Sequence, residues 1–292
     1  MNRETIKFYL LLLPSLAIFL LFVFWPFAYS VYLSFFDWNM ISPEKKFVGL
    51  QNYIDIIKDP ISYKVLVNTF IYIGVLLLMN CIIPYIFAFV IDVVLKRFKN
   101  FYKTALFLPA VISLVVGSIL FTWLLNPVSG PVAIILGWFD VSMPMWTKTD
   151  GWVIVILCLI TSWKVFGYNF IVLYAAINGV DRELIEAARL DRVPARKIFM
   201  KIILPLSSAT GIYVLIITVV QGLQYMFTPI KIITQGGPNY ASSNAIYHAF
   251  HEAFVLYRTG HSAALSILTM LIFFVLLLLE FKFVEKGVYY EN

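Results

Sequence analysis

Between Asp181 and Pro205 the chain reads DRELIEAARLDRVPARKIFMKIILP. Six cations (Arg182, Arg189, Arg192, Arg196, Lys197, Lys201) stand among four carboxylates (Asp181, Glu183, Glu186, Asp191), with long apolar runs on either side. Such a stretch suits ion pairing and docking. A second polar group is Thr218, Gln221 and Tyr225, at i, i+3 and i+7, with Gln224 beside them. Amides and hydroxyls on one face of an apolar helix either line a path for a neutral polyol or sugar, or hydrogen-bond helices together; the residues leave both open. Asn169, near Lys164 in the preceding apolar run, joins the path candidates. Lys164 itself would bind an anionic solute, pair with another chain, or snorkel.

Other candidates point away from catalysis. No G-x-x-x-x-G-K-[ST] occurs, so ATP phosphates are not cradled in the P-loop manner. Gly236-Gly237-Pro238 lacks a following lysine and reads as a turn. His248, His251 and His261 lie in one loop, and His248-x-x-His251-Glu252 lacks the i, i+4 spacing of the zinc protease motif, so no metal site is expected. No nucleophile–base pair suggests itself. Neither a catalytic residue nor a cofactor is expected, and any nucleotide machinery must sit on another subunit.

The elements that position these residues follow from composition. Of 292 residues, 61% are hydrophobic and 13% charged, where a soluble domain carries about a quarter charged. This describes an all-α, multi-pass membrane protein with no second domain. The net charge of +6 belongs to short loops between apolar runs and reflects orientation, not nucleic-acid binding. Crossing a bilayer takes about 20 apolar residues, and six stretches qualify: 8–36, 65–95, 101–125, 152–177, 206–226 and 263–283. Arg3 and Lys7 precede the first, but its apolar run is too long for a signal peptide and no A-x-A site follows; it reads as an uncleaved span. Cys81 and Cys158 fall inside spans and read as small buried hydrophobes.

Fourteen Lys and Arg fall on the side holding both termini, the 96–103 loop and the 181–205 loop, against seven on the other. The positive-inside rule therefore places both termini and the 181–205 loop in the cytoplasm of a cell membrane. Trp38, Trp138, Trp146 and Trp152 cluster at the opposite surface. Leu50, Tyr53, Ile54 and Ile57 predict a short amphipathic helix on that outer interface. Within the charged loop, Asp181 caps a helix over 182–190, Asp191-Arg192-Val193 form a break, and Pro194 opens a second helix running into the membrane. Asp92 and Lys96 are spaced as an i, i+4 pair.

Glu186-Ala187-Ala188, the position of Arg192, and Ile202, Leu204 and Pro205 resemble the EAA loop of ABC-importer permeases. FVGLQNY with KDP and Asn68-Thr69, FLPAVIS with LNPVSG, and ITQGGPNYAS resemble the carbohydrate-uptake branch, maltose and glycerol-phosphate importer permeases among them. The resemblance covers nearly the whole chain. It implies a type I importer fold of six transmembrane helices with a cytoplasmic coupling helix that docks on an ABC ATPase subunit through Glu183, Glu186, Ala187, Ala188, Asp191 and Arg192. It further implies a second ABC permease subunit completing the path and an extracytoplasmic solute-binding protein. The family usually has glycine where this chain has Arg192. A left-handed non-glycine residue costs about 1 kcal/mol or more, so the turn is expected to be built differently here.

The expectation is therefore a permease of an ATP-driven importer for sugars or related polar solutes. Alternatives are an importer permease for a non-sugar solute, an ion-coupled secondary transporter, or an assembly factor of the membrane. A secondary transporter calls for ionisable residues within spans, and apart from Lys164, Asp92 and Glu280 there are almost none.

Overall fold

The computed structural model describes residues 3–95 and 97–284; the expected Lys96 partner of Asp92 lies outside them. Apolar runs long enough to span a bilayer must satisfy their own backbone groups, and helices do so within one segment. Among the described residues five helical stretches are long and apolar enough to cross: Leu11–Leu33, Pro60–Val94, Trp152–Asn178, Ser208–Thr234 and Thr259–Leu279. A bent pair, Lys99–Val111 with Leu114–Leu124, turns by 100° and makes a sixth if the two helices are counted as one broken span. The apolar stretch over 101–125 is thus not one straight helix but two. A tight turn at Leu108–Val111 contains Pro109, and Ile112 and Ser113 then run extended (ψ 139° and 135°) before the helix restarts. The fifth span outruns its expected end at 226: it passes Pro229 and closes in a wide turn at Ile230–Thr234. Among the described residues the one β-pairing joins Phe36–Asp37 to Lys46–Phe47.

Three prolines in or just before spans share one device. Leu20–Phe24, Leu78–Ile82 and Phe199–Ile203 are π-turns, and Pro26, Pro84 and Pro205 each follow two residues after the turn ends. A proline removes a donor and crowds the carbonyl four residues back; the wider turn makes room for it.

The chain forms two compact units. One comprises the chain up to Ser62 with His248–Ile272. In it the amphipathic helix forms over Gln51–Lys58. Asn52 Nδ2 fastens it by donating to Ser34 O (2.9 Å) and Phe36 O (3.0 Å), while Ile56 packs with Ala249, Ala264 and Leu265. Leu50, Ile54 and Ile57 stay exposed, as does every residue from Leu11 to Tyr29. The other unit runs from Tyr63 to Tyr247 and resumes at Phe273. Its centre is the fourth span, whose Phe170, Leu173 and Ile177 are fully buried against Tyr85, Ala88 and Phe89 of the second span, Val214 of the fifth, and Ile185, Ala188 and Ile198 of the charged loop. Cys81 and Cys158 are buried thiols.

Candidate functional site

The charged loop folds as an elbow. Its first helix is Arg182–Leu190, capped by Asp181, whose Oδ1 accepts from Glu183 N at 2.9 Å. Glu183 in the first turn and Arg189 in the last match the helix dipole. Past the end, Val193 N donates to Ala188 O (2.9 Å) and Arg192 N to Arg189 O (3.0 Å), with Arg192 left-handed at φ 56°. This is the Schellman closure that glycine ordinarily provides, so the expected different turn is corrected: arginine makes the same one. Its cost of about 1–2 kcal/mol is offset by two hydrogen bonds and by packing of Val193 on the core. Pro194 sits one residue outside the second helix, as its extended N-cap (ψ 144°). That helix starts at Ala195 and continues through Phe199–Ile203 toward the fifth span.

The elbow helix has two faces. Ile185 and Ala188 are buried among the chain's own spans, with Arg182 and Arg189 reaching the end of the second span. Glu183, Glu186, Ala187 and Asp191 are exposed, and Leu190 is 84% exposed. Of the residues expected to dock, Ala188 therefore faces inward.

The polar stripe of the fifth span divides. Thr218 is buried, and its hydroxyl accepts from Asn169 Nδ2 at 3.1 Å. The same nitrogen lies 2.6 Å from Asn80 O. Asn80 is four residues before Pro84, the position whose carbonyl loses its helical donor, and Asn169 supplies a replacement. Asn80 Nδ2 in turn donates to Ser162 Oγ (2.9 Å). Thr218 and Asn169 thus join the second, fourth and fifth spans. Gln221 is half-buried, while Gln224 and Tyr225 are exposed.

Lys164 is held inside the protein. Its Nζ donates to Ala110 O (2.8 Å) and Ile112 O (2.6 Å), carbonyls at the break of the third span. Neither snorkelling nor a solute is needed to account for it. Charge-assisted bonds are worth about 1.5–3 kcal/mol each, so Lys164→Met should destabilise the protein by about 3 kcal/mol and Lys164→Arg by less, read as thermal unfolding in detergent.

Gly236-Gly237-Pro238 opens a compact loop in which Gly236 is left-handed (φ 82°) and the Gly237–Pro238 bond is cis. The loop folds onto the second span. Asn68 Nδ2 donates to Tyr240 O, Ala241 O and Ser243 O at 2.9–3.2 Å, and Tyr72 OH to Ser242 O at 2.8 Å. Ala245 N donates to Thr69 Oγ1 (3.0 Å) and Lys64 Nζ to Asn239 O (2.9 Å). This is a structural turn clamped by the Asn68-Thr69 pair.

Residues 83–286 match the family described as binding-protein-dependent transport system inner membrane component. The chain belongs to that family. The permease is 31% identical over 289 residues, 98% of each chain, to the probable ABC transporter permease protein YurN of Bacillus subtilis. It is 30% identical over 285 residues to the sn-glycerol-3-phosphate transport system permease protein UgpA of Yersinia enterocolitica, covering 97% of this chain and 95% of that one. Its fold is that of a chain in a bacterial ABC transporter involved in the import of the acidic polysaccharide alginate (TM-score 0.81, 21% identity, 97% and 96% covered). It also matches a chain of a bacterial alginate ABC transporter in complex with an alginate pentasaccharide-bound periplasmic protein (TM-score 0.79, 20% identity, 95% and 93% covered). The permease is a multi-pass membrane protein and a transport component, not an enzyme, with the type I importer fold.

Two of the three histidines, His248 and His261, flank a carboxylate in a helix absent from the sequence expectation, Ala245–Phe254. Glu252, 3% exposed, lies 3.0 Å from His261 Nδ1, 3.3 Å from Arg258 and 3.9 Å from His248 Nε2. Among the described residues no group of three His, Cys, Asp or Glu could hold a metal ion. Burial, reinforced by His251 and His261, holds the His248 pKa below its ordinary value against the pull of Glu252 and Asp59. Burial alone would raise Glu252, but the hydrogen bond and charge of His261, with Arg258 and His248, keep it low. Both groups have depressed folded values, so both contribute stability above their unfolded pKa and lose it as pH falls. For His248 the loss begins below about 6.5, for Glu252 below about 4.5. The melting temperature of the permease should therefore drop by several degrees between pH 7.5 and 5, and less so in His248→Phe, measured by differential scanning fluorimetry.

Proposed function

We propose that the permease is one of two membrane-spanning subunits of an ATP-driven importer for sugars or related polar solutes, with its elbow helix seated on an ABC ATPase subunit. The observation that carries this is the division of the elbow helix: one face is fastened to the chain's own spans, and the other leaves Leu190 and Ala187 bare between Glu183, Glu186 and Asp191. A large aliphatic group in water, flanked by a small residue and rimmed by carboxylates, suits a groove on another protein. The positive-inside count puts the elbow and both termini in the cytoplasm, where ATP is.

The family depends on a binding protein, and delivery of solute by one from the extracytoplasmic side fits the loops opposite the elbow. A second permease fits the uncovered first span. Gln221, Gln224 and Tyr225 keep amides and a phenol available on the fifth span and are the path residues; Thr218 and Asn169 hold helices together. The relatives named for sn-glycerol-3-phosphate transport support a hydroxyl-rich solute. Asp92 and Lys164, ionisable groups of the second and fourth spans, are each bonded inside the chain, which speaks against their use in ion-coupled transport.

The test is a crosslink. A photoreactive group on Ala187→Cys in membranes from cells expressing the whole system should capture an ATPase subunit. Capture of lipid alone at that position would end the proposal.

A further inference from the structure

The second span closes with a π-turn at Val90–Val94 and stops at Leu95, whose backbone is extended (ψ 135°). Its last carbonyls have no further turn to serve them. Two are taken by side chains from elsewhere: Lys99 Nζ donates to Asp92 O at 2.5 Å, and Arg189 donates to Val93 O. The Asp92 carboxylate is 1% exposed. Arg182 Nη2 donates to its Oδ1 at 3.0 Å and stands 2.8 Å from Oδ2; Lys99 Nζ is 3.8 Å away, and the Tyr174 hydroxyl faces it. Arg182 is steadied by Asn178 Oδ1 at 2.6 Å. A carboxylate this deep is tolerated because it is paired, and removing a partner leaves it uncompensated.

Arg182 and Arg189 are seven residues apart, hence on one face of the elbow helix. One lies in its first turn and one in its last: Arg182 holds Asp92 and Arg189 holds Val93, its neighbour in the chain. The elbow helix is therefore pinned at both ends to one span, with Ile185 buried between the pins. At its far end, that span grips the 239–245 loop through Lys64, Asn68, Thr69 and Tyr72. Asn68 and Asp92 are 24 residues apart, ~36 Å along a helix.

We propose that Asp92 is a positioning residue that makes the elbow helix and the second span a single lever, carrying displacement of the elbow to the loop at the other end. This rests on the elbow docking to an ATPase. Without the Asp92–Arg182 pair the elbow can follow the motor while the span stays behind.

The experiment uses the assembled importer in nanodiscs, with a maleimide fluorophore on Tyr63→Cys. That position is 71% exposed at the far end of the span, while both native cysteines are buried. The probe is ATP with vanadate, which needs no knowledge of the solute. In the otherwise unmodified complex, trapping should change the fluorescence. In Asp92→Asn and in Arg182→Gln the change should shrink about tenfold, the scale expected for a residue that transmits coupling, while basal ATP hydrolysis continues. Arg182→Lys should restore it, and the double variant should be no worse than either single one. A full-sized change in Asp92→Asn, which removes the buried charge and leaves unpaired only the partly exposed Arg182 and Lys99, overturns the lever. Failure of the unmodified chain to copurify with an ATPase overturns the docking assignment instead, so the two are told apart.

Discussion

Glu186→Lys should abolish solute uptake while leaving the permease in the membrane and ATP hydrolysis running. Glu186 is exposed on the bare face of the elbow helix, one residue before Ala187 and one turn before Leu190. The contacts that hold this helix to the protein, through Arg182, Ile185, Ala188 and Arg189, all lie on its other face, so the substitution costs the fold little. At an interface with an ATPase it replaces a carboxylate by an ammonium where a complementary cation is expected, and disrupting a close interfacial charge pair costs about 2–5 kcal/mol. Uptake should therefore fall by about a hundredfold. Radiolabelled-solute uptake, set beside ATPase rate and membrane abundance, reads all three quantities. Uptake at the parental rate would remove Glu186 from the coupling surface.

Gly260→Ala should prevent the permease from accumulating in the membrane. A Cβ built on Gly260 would lie 1.7 Å from Phe36 O, and Phe36 O is already an acceptor for Asn52. The obstacle is main chain on both sides, which no rotamer change can relieve. The start of the sixth span must then withdraw from the end of the first, taking with it the Thr259 N to Trp38 O hydrogen bond at 3.0 Å. Overpacking of this kind costs about 3 kcal/mol or more, a large part of a typical stability margin. Gly74→Ala is the control: nothing lies within 4 Å of its Cβ position, and alanine is the better helix former by roughly 1 kcal/mol. Quantitative immunoblotting of membranes and thermal unfolding of the purified protein distinguish the two variants; equal levels would show that this crossing yields more readily than backbone should.

The crossings and the elbow were legible because each is written in local sequence. Apolar length marks a span, and an Asp181 cap with a Pro194 stop marks a short helix. Three features were not. The third span breaks at Ile112-Ser113 because Lys164, some fifty residues on, satisfies the carbonyls that the break exposes; composition over 101–125 carries no trace of that partner. Arg192 takes the left-handed turn because hydrogen bonds and Val193 packing outweigh a local preference, and a propensity weighs only the local part. The stripe on the fifth span looked like one surface because helical spacing says which residues share a face but not what the face meets. Thr218 meets Asn169, whereas Gln224 is exposed.

The carbonyl that Pro84 strips of its donor is answered from another span, by Asn169. The two positions are thus one inheritance, 85 residues apart. A lineage that loses the imino acid at 84 regains a backbone N–H there and frees position 169 to drift toward leucine or alanine. One that keeps the imino acid must keep an amide at 169, or leave a bare oxygen facing hydrocarbon. Comparing descendants of this chain at those two columns alone would show whether selection treats them as a pair.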